Sequence, residues 1–172
     1  NVGTEATLKL QSSRTLDWFG SDVAAVSVGN RSFLLVGAPY YRSVTDCETT
    51  DASTCDQLGA VYGYELLSGG APVFRFLIKG DESNALMGRR IATDGGDIIA
   101  LSSPDSSGRS QLARAGKVVL MRASALPTLS GNFSLSQLPI PAAIVQGTVA
   151  YERFGWSVEF GDLDGDGKDD LI

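Results

Sequence analysis

The sequence predicts an all-β fold assembled from similar units of four short strands. Three observations support this prediction. An aromatic residue or methionine followed by glycine recurs at spacings of 68 and 67 residues, at Phe19-Gly20, Met87-Gly88 and Phe154-Gly155. Short apolar or alternating segments, separated by turn residues, lie between these pairs. Glycine is abundant, with 20 in 172 residues, and few long helical patterns occur.

The first unit gives the clearest set of four strands. The first strand follows Phe19-Gly20, and the second runs through "LLVGAP" to Pro39. The third begins at Gly59 in "GAVYGYEL", and the fourth begins at Val73 in "VFRFLIKG". The period and the strand count together are typical of a β-propeller blade.

The second unit repeats these landmarks less closely. Its second strand is "IALSSP", which ends at Pro104, and its third is "GKVVLMRA", which starts at Gly116. We expect its fourth strand in "NFSLSQLPI" from Asn132. The third unit begins with "RFGWSVEFGD" from Arg153, and the chain ends within its second strand.

The predicted organisation is a β-propeller fragment of about two and a half blades. We expect residues 1–16 to form the outer strand of a preceding blade, residues 17–84 a complete blade, residues 85–152 a degenerate blade, and residues 153–172 the start of a third. A single blade cannot bury both of its apolar faces, so the remaining blades of the same propeller are the expected partners.

An acidic loop in the third unit predicts a metal site. Counted from Asp162, it reads D-x-D-x-D-G-x-x-D, with Gly167 at the sharp turn. This spacing of oxygen donors is typical of calcium loops. The flanks alternate like strands rather than helices, which favours a calcium loop within a β-hairpin over an EF-hand. The predicted Ca²⁺ ligands are the Asp162, Asp164, Asp166 and Asp170 carboxylates and the Lys168 carbonyl. The alternative is a solvated acidic turn.

Other motifs favour an extracellular or cell-surface location. Cys47 and Cys55 lie eight residues apart. They form either a local disulfide, which is plausible in an oxidising compartment, or two free thiols. Asn30 and Asn132 begin N-x-S sequons and are candidate glycosylation sites, of which Asn30 is the stronger. Most loops of this calcium class need extracellular calcium concentrations.

Composition limits the possible functions. The net charge is −6 and no basic stripe occurs, which disfavours a nucleic-acid partner. The chain has no histidine to act as a base or zinc ligand, and no apolar run of membrane-spanning length. Asp94 with Asp97, and Asp105 near Arg109, are expected to be solvated surface groups rather than acid–base pairs. We therefore predict that this segment is not itself an enzyme.

The F-G pairs, the G-A-P end of strand two and the D-x-D-x-D-G-x-x-D loop resemble FG-GAP repeats. Such repeats form the blades of the integrin α-subunit head and the propeller of glycosylphosphatidylinositol-specific phospholipase D. The resemblance is strong in the first and third units. The second departs from it, with Met87 in place of phenylalanine, Ser102-Ser103-Pro104 in place of G-A-P, and no calcium loop.

The resemblance also implies an orientation and a function. Calcium loops would lie on a lower face, and the upper face would meet a protein or glycan ligand. By this resemblance the upper face includes Trp18, Tyr40, Tyr41, the Cys47–Cys55 loop, and the segments "KGDESNAL" and "QGTVAYER". The alternative for these aromatic residues is packing between blades. The implied function is an extracellular calcium-binding adhesion or interaction module, integrin α-like. The alternative is an accessory propeller of a larger secreted enzyme.

Overall fold

The computed structural model describes residues 10–12, 16–42, 56–108, 111–140 and 142–172. Within these residues the chain forms eleven β-strands and two short 3₁₀ helices. The strands are arranged as two larger sheets followed by a small hairpin. This arrangement confirms the predicted all-β fold class and is consistent with a β-propeller fragment.

The first sheet contains the four strands predicted for the first unit. They are β1 (Val23–Val28), β2 (Arg31–Ala38), β3 (Ala60–Leu66) and β4 (Val73–Lys79). Each strand pairs antiparallel with the next, in the order in which they occur along the chain. Such a meander of four short strands is the unit expected of a propeller blade.

The second sheet differs from the prediction in its fourth strand. It consists of β5 (Ile91–Thr93), β6 (Ile98–Ser103), β7 (Lys117–Arg122) and β9 (Ala142–Gln146). The expectation of a fourth strand from Asn132 is therefore wrong, because the outer position is taken by β9, which pairs antiparallel with β7.

The segment around Asn132 instead joins the first sheet. Residues Gly131–Ser134 form β8, which pairs parallel with β4. A 3₁₀ helix at Ala123–Thr128 leads the chain away from β7 and buries Leu126 among residues of both sheets. Because β4 would otherwise present an unpaired edge, β8 satisfies backbone groups there.

The two sheets share one apolar core. Phe33, Leu35 and Phe76 from the first sheet pack in the same buried cluster as Ile99 and Leu101 from the second. Met87, from the second F-G-like pair, is also fully buried in this cluster. The sheets therefore pack face to face, as neighbouring blades do. That the blades begin and end at the predicted boundaries stays a prediction.

The third unit forms a hairpin beside the second sheet. Its strands are β10 (Phe160–Gly161) and β11 (Asp170–Leu171). Phe154, Phe160 and Leu171 pack against a small buried cluster that contains Ala100, Val118 and Val158. The hairpin is thus held on the face of the second sheet that points away from the first.

The three units share the same backbone path before their first strands. Left-handed residues recur at every second position there, at Leu16, Trp18 and Gly20, at Asn84, Leu86 and Gly88, and at Tyr151, Arg153 and Gly155. Each of the last two turns lies against a glycine of the preceding unit. A Cβ at Gly59 would lie 2.3 Å from the Met87 backbone nitrogen, and one at Gly116 would lie 2.2 Å from the Phe154 carbonyl oxygen. These glycines form the joints between consecutive units.

Candidate functional site

The predicted metal loop closes the third hairpin. Strands β10 and β11 pair over only two residue pairs, Phe160 with Leu171 and Gly161 with Asp170. Two further backbone hydrogen bonds join Glu159 and Ile172, at 2.9 and 3.1 Å. The intervening residues 162–169 form an exposed loop. The hairpin context therefore matches the predicted one.

Three of the predicted ligands come together in this loop. Asp162, Asp164 and Asp166 each offer a carboxylate oxygen, and these oxygens lie within 4.8 Å of one another. Ligands at calcium–oxygen distances of about 2.3–2.6 Å can be no more than about 5 Å apart. The spacing and the all-oxygen chemistry of the three groups therefore fit a single hard cation.

Backbone amides orient these carboxylates toward the inside of the loop. Asp162 accepts hydrogen bonds from the amides of Gly165 (2.7 Å), Asp166 (3.1 Å) and Gly167 (2.9 Å). Asp164 accepts from the Asp166 amide at 3.0 Å. Gly165 and Gly167 have φ values of 79° and 85°, which glycine adopts without steric cost. The motif predicted the role of Gly167 but missed Gly165.

The other two predicted ligands are placed differently. Asp170 lies in β11, and its Oδ2 accepts a hydrogen bond from the Leu163 amide at 3.2 Å, so it ties the two ends of the loop together. It is outside the group of three carboxylates. The Lys168 side chain is exposed, and its Nζ atom lies 3.4 Å from Asp166 Oδ2. The backbone carbonyl of Lys168 stays a predicted ligand.

The three aspartates that were expected to be solvated surface groups, Asp94, Asp97 and Asp105, have structural partners. Asp97 accepts hydrogen bonds from the Ser124 amide (2.6 Å) and from Arg122 (3.0 Å). These bonds, the amide first, lower the pKa of Asp97. Asp105 was expected to be solvated, but its side chain is only 12 % exposed and forms an ion pair with Arg153. Arg109, which was considered together with Asp105, lies outside the described residues.

The aromatic residues assigned to the upper face divide into two groups. Trp18 is 58 % exposed, and its ring lies 4.5 Å from that of Tyr40. Tyr41 is buried and packs edge-on against Tyr62, so for this residue packing is the observed arrangement.

The predicted modification sites also differ in what the structure describes. Asn30 is exposed in the turn between β1 and β2, and Asn132 is exposed within β8. Cys47 and Cys55 lie outside the described residues, and their pairing stays a prediction. The glycosylation of both asparagines likewise stays a prediction.

Sequence reasoning missed a second polar cluster, at the opposite end of the strands from the acidic loop. The guanidinium carbons of Arg89 and Arg153 each lie 5.0 Å from the centroid of the Trp156 ring. Arg89 and Trp156 occupy equivalent positions, directly after the Gly of their F-G pairs. Superposing the repeats shows this equivalence, but the contact between the two side chains follows only from the packing of consecutive units.

Comparison with known proteins agrees with this architecture. Residues 154–172, which contain the third hairpin and its acidic loop, match the family model of the FG-GAP repeat. The chain therefore carries an FG-GAP repeat within an all-β fold, and the predicted resemblance to FG-GAP propellers is confirmed.

The curated relatives carry one shared name, phosphatidylinositol-glycan-specific phospholipase D. The mouse protein (Mus musculus) is 26% identical over 178 residues, which cover 98% of this chain and 21% of the relative. The human protein (Homo sapiens) is 25% identical, covering 97% and 20%. The chain spans about a fifth of the length of these relatives. Among the described residues, no helix has the length and apolar character needed to cross a membrane.

Proposed function

We propose that this chain is a segment of an extracellular β-propeller whose third unit binds calcium, and that the propeller serves as a binding module of a larger protein. The observation that carries the proposal is the three-carboxylate loop. It lies in a β-hairpin, within the residues that match the FG-GAP repeat.

The proposed role of calcium is structural. Asp162, Asp164 and Asp166 hold like charges within 4.8 Å of one another, and Asp170 closes the loop nearby. The mutual repulsion of these carboxylates opposes a closed loop, and a divalent cation reverses its sign. Calcium accepts the irregular oxygen shell of a short loop, whereas magnesium requires a near-ideal octahedron. Zinc prefers nitrogen and sulfur donors, which this loop lacks.

The relatives favour an accessory propeller over an integrin-like adhesion module. Each named relative is a phospholipase D, and the similarity extends over 97–98% of this chain. Within the described residues, Asp97 and Asp105 are held by structural partners, and the chain has no histidine. We propose that this segment performs no chemistry and that any catalysis belongs to another part of the protein.

The remaining parts of the proposal concern location and covalent modification. An extracellular environment would supply the calcium that such a loop needs, at affinities of about 10⁻⁵ to 10⁻³ M. It would also permit a Cys47–Cys55 disulfide and glycans at Asn30 and Asn132. The exposure of both asparagines supports their accessibility.

The test is calcium titration by calorimetry of a protein that contains the intact propeller. We compare the wild type with Asp164→Ala and Asp170→Ala, and use Asp169→Ala as the control, because Asp169 is exposed and outside the group of three carboxylates. Asp164→Ala removes one candidate ligand and only one amide contact. We expect it to weaken binding at least about tenfold, while the control binds like the wild type. Unchanged affinity in both Asp164→Ala and Asp170→Ala would show that the ligands are misassigned.

A further inference from the structure

Two loops meet at the end of the strands opposite the acidic hairpin. One connects β6 to β7, and the other connects β9 to β10. Three backbone hydrogen bonds join them, from Tyr151, Arg153 and Phe154 to the carbonyls of Ala113, Arg114 and Ala115, at 2.7–3.0 Å. Side chains on the two loops are therefore held in fixed relative positions.

These loops, with the turn before β5, carry an arginine–tryptophan cluster of Arg89, Arg114, Arg153 and Trp156. The guanidinium groups of Arg89 and Arg153 both lie over the Trp156 ring. Trp156 is 45 % exposed, so the cluster reaches solvent. A guanidinium that stacks on a ring uses its π face and keeps the N–H donors at its edge available.

The cluster has more positive than negative charge. Asp105 is shared by Arg153 at 3.0 Å and Arg114 at 3.9 Å. The Asp105 Oδ1 atom accepts no hydrogen bond, so the Arg153 contact is an ion pair without an aligned N–H donor. Within the described part of the chain Arg89 makes no ion pair, and its guanidinium group contacts the Trp156 ring. Two arginines thus share the carboxylate of Asp105, whose side chain is 12 % exposed, and Arg89 adds a third positive charge over the Trp156 ring.

The carboxylate nearest in sequence, Glu152, adds a second negative charge, and three arginines still exceed the two carboxylates. The Oε2 atom of Glu152 accepts hydrogen bonds from the amides of Thr148 and Val149, at 2.9 and 3.1 Å, within its own turn. In a chain of net charge −6, a concentration of unneutralised arginine donors is unusual. Planar N–H forks of this kind match the oxygen geometry of phosphate, sulfate and carboxylate groups.

We propose that the arginine–tryptophan cluster binds an acidic sugar, that is, a saccharide that carries sulfate, phosphate or carboxylate groups. Arg89 and Arg153 would bind the anionic group. Trp156 would hold the two guanidinium groups in place, and the exposed ring of Tyr151, which is 70 % accessible, would pack against the apolar face of the sugar ring. This inference deepens the proposed binding role of the propeller and rests on it.

The surface favours a sugar over an acidic peptide. A peptide that is held through its backbone needs an extended groove or an unpaired strand edge along which that backbone can pair. The cluster instead lies on tight, mutually bonded turns, where Arg153, Arg114 and Tyr151 have left-handed φ values of 51–64°. Such turns present side chains at fixed points but no free ladder of backbone groups. A compact ligand with one anionic group and an apolar face fits this arrangement.

The experiment is a calorimetric titration of the protein containing the intact propeller, at saturating calcium. The probes are a heparin-derived tetrasaccharide, the same tetrasaccharide after desulfation, and inorganic sulfate. We expect the sulfated sugar to bind at least about tenfold more tightly than either of the others, and to bind more weakly as salt concentration rises. Equal binding of the desulfated sugar or of inorganic sulfate, or no binding of the sulfated sugar, would overturn the proposal.

Three variants locate the site. Arg89→Gln and Arg153→Gln should each weaken binding about tenfold, and Arg153→Lys should lose much of it because an ammonium cannot replace the stacked fork. Arg122→Gln is the matched control, because it removes the same charge from an exposed side chain at the other end of β7. Equal losses in the control would indicate general electrostatic attraction and overturn the assignment. Arg89→Gln removes no ion pair, so its folding should be intact.

Calcium titration of the same variants separates this inference from the proposed function. Arginine variants that keep wild-type calcium affinity but lose the sugar support both proposals. Unchanged calcium affinity in Asp164→Ala and Asp170→Ala, with the sulfated sugar still lost in the arginine variants, would overturn the calcium proposal alone.

Discussion

The first and third hairpins occupy the same place in their units but are closed in different ways. Strands β1 and β2 pair over six residue pairs and are joined by the two-residue turn Gly29-Asn30. Strands β10 and β11 pair over two, and the loop between them carries the clustered carboxylates. Backbone pairing alone can close the first hairpin. The third has little pairing and must also overcome repulsion.

The second hairpin lies between these extremes. Its strands, β5 and β6, pair over three residue pairs. Asp94 Oδ1 accepts hydrogen bonds from the amides of Gly96 and Ile98, at 2.8 and 3.0 Å, and so closes the turn with one side chain. From the first hairpin to the third the strands share fewer residue pairs, and side-chain carboxylates make more of the hydrogen bonds that close the turn. Among the described hairpins, only the third brings three carboxylates within 4.8 Å of one another.

The joints between units, in contrast, are built alike: in each, a glycine of one unit lies against the backbone of the next. The largest expected effect therefore comes from Gly116→Ala, which breaks the joint rather than a hairpin. Its Cβ would lie 2.2 Å from the Phe154 carbonyl oxygen and 2.5 Å from the Phe154 nitrogen, and the residue has a φ of 83°. Backbone atoms cannot give way, so we expect a loss of about 3 kcal/mol or more in the free energy of unfolding, measured by urea denaturation of the intact propeller.

Gly29→Ala in the first hairpin is the control for this prediction. It also has a left-handed φ, of 59°, but no atom lies within 4 Å of the added Cβ. Its cost should be limited to conformational strain of about 1–2 kcal/mol. If the two substitutions cost the same, close approach between units is not what requires glycine at position 116.

Features that depend on local sequence patterns could be predicted, and features that depend on contacts between distant residues could not. The strands of the first unit and the third hairpin could be predicted, because alternation, glycine spacing and the aspartate pattern are local. The position of β8 could not. "NFSLSQLPI" is strand-like in either sheet, and the 3₁₀ helix at Ala123–Thr128 decides which edge it reaches.

The candidate sites differ in the same respect. The acidic loop is contiguous, so Asp162, Asp164 and Asp166 could be assigned from spacing alone. The contact of Arg89 with Trp156 joins residues 67 positions apart and exists only because consecutive units pack side by side. Asp105 was misjudged for this reason too, since its burial depends on Arg114 and Arg153 from outside its own turn.

The second prediction tests whether calcium supports only the third hairpin. Chelation should remove a stabilisation of about 2.7 kcal/mol if calcium is present at about 100 times its dissociation constant. Hydrogen exchange measured by mass spectrometry should show faster exchange in residues 156–172, where the Ile172 amide bonds the Glu159 carbonyl at 2.9 Å. Exchange in residues 20–38 should not change. Equal acceleration in both segments would contradict a local role for the cation.

The stability of the first sheet should depend on pH through the ion pair of Glu65. Glu65 on β3 is 7 % exposed and binds Arg31, next to the first turn, and Arg75. The pKa of Glu65 is lowered from 4.5 to about 2, first by the hydrogen bond from Arg31 and then by the one from Arg75. Burial of the carboxylate acts in the opposite direction. The depressed pKa means that this ion pair stabilises the fold fully above about pH 4.5 and is lost as the pH falls toward about 2.

Glu65→Gln removes this dependence while keeping the side-chain shape. Urea midpoints measured between about pH 6 and pH 3 should therefore fall less steeply in the variant than in the wild type. The measurement is made with calcium chelated, so that protonation of the acidic loop does not contribute through metal release. Parallel pH profiles would show that Glu65 does not anchor the first hairpin.

The smallest effect on stability is expected from a glycan at Asn30. The two-residue turn leaves Asn30 exposed at the place where the third unit has its acidic loop, so a glycan there meets no packed neighbour. We expect glycopeptide mass spectrometry of protein from a secretory host to find Asn30 occupied more fully than Asn132, which is paired within β8. Enzymatic removal of the glycan should change the free energy of unfolding by less than about 0.5 kcal/mol. An unmodified Asn30 would mean that this turn is covered in the intact protein, and the equivalence of the first and third hairpins would then fail at their exposed ends.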